Sequence, residues 1–380
     1  MLYHLLYPLA GRFGPLNVLR YPSFRIIAAG FTALLLGLLL GPFFIERLRR
    51  LQYGVSNVRE DTPDGHQKKA GTPSMGGMLI LFSMSVATLL FADLGNRLVW
   101  TVLLVTLTFG AIGFWDDYLK ISKRNSKGLP GRRKLLWQLG AVLVIYYLLQ
   151  TDLTVRVSGQ FPFVTVGSYL DLHLSLPFVS TRLFEPSLGW LYVPFMLLVI
   201  LGTSHAVNLT DGLDGLAIGP AIVSGFTFLV LSYVAGTTIA GFSLAGYLRI
   251  PLIPGAAELG VYCAALVGAG IAFLWYNSYP ASVFVGDVGS LALGGGLGTL
   301  AVLTKNEVAS AILHGVFLAE AVSVILQVTS YRTTGKRIFR MAPIHHHFEL
   351  KGWAEPKIIV RFWILSIMLA LVALASLKLR

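Results

Sequence analysis

Charge and cysteine are both scarce in this chain of 380 residues: 13% of it is charged, 55% is hydrophobic, and there is one cysteine. So little charge excludes a soluble globular protein of this size, for which about a quarter of residues would be charged, and points to a polytopic membrane protein. Cys263 sits inside an apolar run, which excludes a disulfide framework and a cysteine-based metal site. Acid is scarcer than base, with 18 Asp and Glu against 30 Lys and Arg and a net charge of +12. That surplus does not mark a nucleic-acid binder, because the basic residues lie in short stretches between apolar runs, as in cytoplasmic loops that face anionic lipid. There is no internal repeat, no low-complexity tract, no second soluble domain and no signal-peptide cleavage pattern near Arg12 and Arg20. Residues 1–380 are therefore expected to form a single integral-membrane domain.

What is plentiful is long apolar sequence. Windows of membrane-spanning length fall near 26–45, 75–94, 98–115, 135–150, 190–207, 216–235, 259–276, 288–304, 308–330 and 358–377. The expectation is an all-α polytopic membrane protein with about ten transmembrane helices. Sorting the loops by parity separates the charges. The loops after the first, third and ninth windows hold Arg47, Arg49, Arg50, Arg59, Lys68 and Lys69, then Lys120, Lys123, Arg124, Lys127, Arg132, Arg133 and Lys134, then Arg332, Lys336, Arg337, Arg340, Lys351 and Lys357. Loops of the other parity hold only Arg97, Arg156, Arg182, Arg249 and Lys305. The positive-inside rule then puts the basic loops in the cytoplasm and both termini outside. On the outer side, Leu153, Val155 and Val157 alternate with polar residues before Ser158-Gly159-Gln160. That pattern predicts a small β-hairpin within 151–181, more as a cover than as a site.

The sharpest feature is Gly113-Phe114-Trp115-Asp116-Asp117-Tyr118-Leu119-Lys120, where an apolar run ends in two carboxylates and a lysine. A helix stop in the headgroup region competes with a functional reading. The cost of a membrane aspartate, roughly 2.5–3.5 kcal/mol at the bilayer centre on insertion scales, makes such residues functional candidates. The other acids tip the balance. Asn208 to Gly215 contains Asp211 and Asp214, Phe284 to Ser290 contains Asp287, and Pro343 to Glu349 contains His345, His346 and His347. Five of the ten aspartates thus stand at span ends on the one face that lysines and arginines had already made cytoplasmic. Facing carboxylates repel, so a cation is the natural partner, and oxygen ligands suit Mg²⁺ or Mn²⁺. Together with phosphates this is the composition of a phosphoryl-transfer site. Lys120, three and four residues after the pair, shares a helical face with one or both carboxylates.

Gly212, Gly215, Gly286 and Gly289 flank these acids and would let backbone approach a phosphate, or they are ordinary turn and packing glycines. Adjacent histidines point in different directions and imidazole is a poor magnesium ligand. The triple histidine therefore reads as hydrogen bonding or charge donation to a phosphate, with loop structuring as the alternative. Phe284, an aromatic in a polar loop, offers a face for a base to stack on.

Together these motifs resemble the polyprenyl-phosphate N-acetylhexosamine-1-phosphate transferases over essentially the whole chain. The match runs through Lys69 with Gly71-Thr72-Pro73-Ser74-Met75-Gly76-Gly77, the Asp116-Asp117 pair with Lys120, Asn208 to Gly215, Phe284 to Ser290, and Met341 to Glu349. The triple-histidine block resembles the muramoyl-pentapeptide branch in particular. The resemblance implies transfer of phospho-N-acetylmuramoyl-pentapeptide from its UDP donor to undecaprenyl phosphate, in peptidoglycan synthesis at the bacterial inner membrane, with release of UMP and with Mg²⁺. It implies ten spans and both ends outside, in line with the loop charges. By analogy Asp287 holds the metal, and Asp116 and Asp117 supply a base or, in a rival scheme, a nucleophile. Uracil lies against Phe284, near Lys69 and Gly212-Leu213-Asp214, while Asn277, Lys120 and His346 sit near ribose, phosphate or sugar, and Lys134 takes a phosphate. Alternatives are a sister transferase using UDP-N-acetylglucosamine, or a membrane transporter or flippase, against which the one-sided acids argue. Oligomeric state is left open, a homodimer included.

Overall fold

The computed structural model describes residues 1–52, 71–123, 128–150, 172–179, 184–239, 241–248 and 250–377. After a short helix α1 (Leu2–Leu6) and two 3-10 turns come α2 (Pro22–Leu51), α3 (Gly77–Phe91), α4 (Arg97–Ser122), α5 (Gly131–Gln150), α6 (Tyr192–Thr210) and α7 (Ile218–Gly236). A two-residue antiparallel pair follows, β1 (Thr238–Ile239) with β2 (Phe242–Ser243), and then α8 (Leu244–Leu248), α9 (Leu259–Asn277) and α10 (Gly286–Leu303). The chain ends with α11 (Glu307–Leu313), α12 (Gly315–Thr334), α13 (Ile344–Glu349) and α14 (Glu355–Ala375).

Each of the ten apolar windows contains a helix. Among the described residues seven helices are long and apolar enough to cross a membrane, or eight if α11 and α12, bent by 83° at their junction, make one span. The two windows outside that measure are α3, with 15 residues, and α5, which opens on Arg132, Arg133 and Lys134. The expected outer β-hairpin lies largely outside the described residues; of the described part, His173 forms an isolated antiparallel bridge with Ser187. The β1 and β2 pair lies elsewhere, after α7, where the sequence pattern gave no expectation of strand.

Apolar side chains of α2, α12 and α14, such as Ile27, Leu39, Ile325, Ile364 and Leu371, point outward. Lipid tolerates that outward face and water would not. The centre of the bundle is α10, with 89% of its apolar window buried. Its sequence, GDVGSLALGGGLGTLAVL, is small and apolar on all sides, which suits a helix surrounded by others. Gly113 of α4 lies so close to α10 that a Cβ there would collide with the carbonyl oxygen of Asp287. That contact sits one turn before Asp116.

Two ionic clusters pin the end of the bundle opposite Asp116. Arg25 of α2 grips Glu258 through both terminal guanidinium nitrogens, with Nη1 2.6 Å from Oε2, and the Asp93 N–H donates to the same carboxylate at 3.0 Å. Lys305 lies 3.1 Å from Glu307, whose carboxylate also accepts from the Tyr192 hydroxyl at 2.5 Å. Both groups are almost fully buried, where breaking one partner of a pair is costly.

Gly113→Val should lower the unfolding midpoint of the detergent-solubilised protein, because overpacking a close helix contact costs about 1–3 kcal/mol. A wild-type midpoint would mean that α4 and α10 do not meet there.

Candidate active site

Asp116 and Asp117 occupy the last turns of α4, and Asp287 the first turn of α10. The close approach at Gly113 brings these two helix ends together, so that one oxygen from each carboxylate lies within 4.8 Å of the others. Three anions at that spacing need positive charge. Lys120 Nζ lies 2.6 Å from Asp116 Oδ2, 3.3 Å from Asp117 Oδ1 and 3.2 Å from Asp287 Oδ2. The lysine expected to share a face with one or both carboxylates therefore meets both. Lys134, from the first turn of α5, adds contacts of 2.7 Å to Asp287 and 3.3 Å to Asp116.

Each carboxylate is also held by a neutral donor. Leu129 N–H donates to Asp116 at 2.6 Å, Val288 N–H to Asp117 at 3.2 Å, and the Asn208 amide to Asp287 at 2.9 Å and to Ser290 Oγ at 2.8 Å. The donor set facing the cluster is oxygen only, which fits a hard divalent cation and excludes a soft-metal site. Asp116, Asp117 and Asp287 can thus hold a metal ion.

Gly286 precedes Asp287 with φ of 73°, a left-handed conformation that costs glycine nothing. A Cβ there would also lie 2.6 Å from Asp117 Oδ2. Asp211, just beyond α6, accepts the Gly286 N–H. Burial, then the charges of Asp287, Asp117 and Asp214, push its carboxyl up to about 8, against that hydrogen bond.

The remaining predicted residues form the surroundings. Asp214 accepts the Ala281 N–H at 3.0 Å. Asn277 is buried with its amide committed to backbone, accepting from Gly215 N–H at 3.0 Å and donating to the Val283 carbonyl at 2.8 Å. It ties the Asp211–Gly215 loop to the segment before α10 and offers structure there. Leu213 packs its side chain among Leu216, Val316, Ile358 and Phe362, away from the carboxylates. Phe284 is half-buried in a ladder with the Pro73–Gly77 segment: its N–H donates to the Pro73 carbonyl, and Gly76 and Gly77 donate to Phe284 and Val285, all at 2.8 Å. Lys69, of the same motif, lies outside the described residues.

The three histidines take different partners, although the His345 and His346 rings pack with centroids 4.1 Å apart. The His345 Nδ1 lies 3.1 Å from Glu320 and His346 Nδ1 2.6 Å from Glu349, while His347 Nδ1 accepts the Arg340 N–H at 3.1 Å. Burial, then Lys351 and Arg340, hold the His347 imidazole below its usual range. Two partners were missed in the sequence. Gln52 makes paired bonds of 2.9 Å with Ser74 backbone, and nothing in a loop glutamine signals that. Glu320 left a clear trace as a lone acid inside an apolar window.

Comparison with known proteins places these motifs. A model described as glycosyl transferase family 4 matches residues 99–305, and one described as phospho-N-acetylmuramoyl-pentapeptide-transferase signature 1 matches residues 69–81. The chain is 78% identical over 380 residues to the phospho-N-acetylmuramoyl-pentapeptide-transferase of Anaeromyxobacter sp. (strain Fw109-5), covering 100% of both chains. It is 62% identical over 379 residues to the protein of that name from Myxococcus xanthus (strain DK1622), covering 96% of both. With the one from Sorangium cellulosum (strain So ce56) it shares 55% over 391 residues, covering 100% of both.

Mn²⁺, a paramagnetic probe for a hard-cation site, should bind the purified protein, and Asp287→Asn should weaken that binding on the order of tenfold or more. Equal Mn²⁺ affinity in both proteins, read by electron paramagnetic resonance, would remove Asp287 from the ligand set.

Proposed function

We propose, from the premise that the chain belongs to glycosyl transferase family 4, that it transfers phospho-N-acetylmuramoyl-pentapeptide from its UDP donor to undecaprenyl phosphate. The products are the lipid-linked sugar diphosphate and UMP. The carrying observation is the cluster of Asp116, Asp117 and Asp287 with Lys120 and Lys134 among them. Identity of 78% and 74% along the whole chain to relatives named phospho-N-acetylmuramoyl-pentapeptide-transferase supports the choice of donor.

An oxygen of the lipid phosphate forms a bond to the β-phosphorus of the donor, and the bond from that phosphorus to the bridging oxygen breaks, leaving UMP. Two anions must meet for this, and the protein must offset their repulsion. Lys120 and Lys134 do so as ammonium groups that exchange a carboxylate partner for a phosphate oxygen. Asp287, with Asp116 and Asp117, would hold Mg²⁺, which supplies charge neutralisation at the diphosphate. Both members of the acidic pair are engaged: Asp116 by Leu129 N–H and by two lysines, Asp117 by Lys120 at 3.3 Å and by Val288 N–H at 3.2 Å. One of the two takes the proton from the acceptor phosphate, in a single direct displacement.

Phe284 provides the stacking face for uracil, with Gly212-Leu213-Asp214 beside it, and His346 borders the sugar. In this reading α3 and α5 also cross the inner membrane, giving ten spans with both termini outside and the carboxylates at the cytoplasmic edge. That edge is where a soluble nucleotide meets a phosphate whose chain stays in lipid. The one-sided basic loops support it.

UMP release by purified protein with undecaprenyl phosphate and Mg²⁺ is expected with UDP-N-acetylmuramoyl-pentapeptide and not with UDP-N-acetylglucosamine, and should be lost on chelation. Release with the second donor alone would assign the sister activity instead. Asp116→Asn and Asp117→Asn should each reduce turnover by at least about a hundredfold, the size of a lost general base. Turnover near wild type in either would exclude that residue from the chemistry.

A further inference from the structure

Glu320 lies on α12, five residues beyond the bend, and its side chain is fully buried. Its Oε2 is 3.1 Å from the Nδ1 of His345, itself fully buried, and 3.4 Å from the His345 backbone nitrogen. The backbone contact has the His345 N–H as its donor, and with Glu320 ionised the Nδ1 atom carries the proton in the other, whichever charge the ring holds. The opposite ring atom, Nε2, has no hydrogen-bond partner. It is turned to Gly212, where the first side-chain atom of any other residue would overlap it.

Gly212 begins the loop that carries Asp214 and follows Asp211. Asp211 in turn accepts from Gly286 beside Asp287. A continuous path of contacts thus leads from Glu320 through His345 and Gly212 to the carboxylate cluster. A simple clip between α12 and α13 needs no charge here, because well-packed apolar side chains would hold two helices at least as well as a buried ion pair. A carboxylate earns its place when an imidazole must be held in one tautomer and one orientation.

We propose that Glu320 is a positioning residue of the transferase site. Through His345 it braces the Asp211–Gly215 loop from the bent helix α12, fixing Nε2 toward Gly212. This rests on the transferase reading above, and the test separates the two.

Histidine labelled with ¹⁵N in the full-length protein reports the tautomer directly, with His345→Gln used to assign the signal. A protonated Nδ1 on His345 that shifts in Glu320→Gln is the expected result. An unprotonated Nδ1 in wild-type protein overturns the proposal whatever the turnover. Kinetically, Glu320→Gln should lower kcat for UMP release on the order of tenfold to a hundredfold, the range for losing a partner that orients a functional histidine. The KM for undecaprenyl phosphate should stay unchanged, and Glu320→Asp, which keeps the charge, should recover part of the loss. The double variant E320Q/H345Q should match H345Q within about twofold, since residues acting through one another are not additive. Multiplying losses would mean that Glu320 acts elsewhere. Wild-type protein that releases no UMP counts against the transferase reading alone, and the spectrum still decides whether Glu320 holds His345.

Discussion

Three carboxylates confined to one small volume set the terms for the rest of this structure. Two like charges about 4 Å apart repel by roughly 4 kcal/mol at an effective dielectric near 20, and each pair within the cluster faces a repulsion of that kind. Helices must press together hard enough to impose the arrangement, and positive charge must arrive beside them to relieve it. Gly113 answers the first need by letting α4 touch the backbone of Asp287. Lys120, on the same helix as two of the acids, and Lys134, at the head of α5, answer the second.

The two ends of the bundle are built by different means. Opposite the carboxylates, Arg25 with Glu258, and Glu307 with Tyr192 and Lys305, join helices through buried side-chain charges. At the carboxylate end the joints are mostly main-chain groups and amides: Phe284 with Pro73, Gly77 with Val285, Asn277 with Gly215 and Val283. A side-chain amide or a peptide N–H carries no net charge, so it can lock a loop beside an ionic site without altering the charge balance there.

Much of this was legible in the residues alone. Apolar length located a helix in every window, and Asp116, Asp117, Lys120 and Asp287 stood out as polar residues at apolar ends because hydrocarbon makes them expensive. Lys134, carried over by resemblance, lies against two of the acids. What could not be read was contact across the chain. Asn277 looked like a ligand-binding amide, and its structural use depends on a loop 62 residues away. Leu213 sits in a glycine-rich acidic motif, yet its side chain belongs to the apolar cluster of α14. The bend between α11 and α12 was also hidden, because an apolar window registers hydropathy and carries no sign of direction.

The reliance on main-chain donors has an evolutionary side. The N–H groups of Leu129, Val288 and Gly286 that hold Asp116, Asp117 and Asp211 exist for every encoded residue but proline. Proline apart, substitution cannot delete such a contact; it can only move the backbone, and where Gly113, Gly212 and Gly286 leave no room for a Cβ, moving the backbone disturbs the carboxylates themselves. A lineage under pressure to keep out a toxic mimic of the substrate would thus find few positions at which the pocket can change while the enzyme survives.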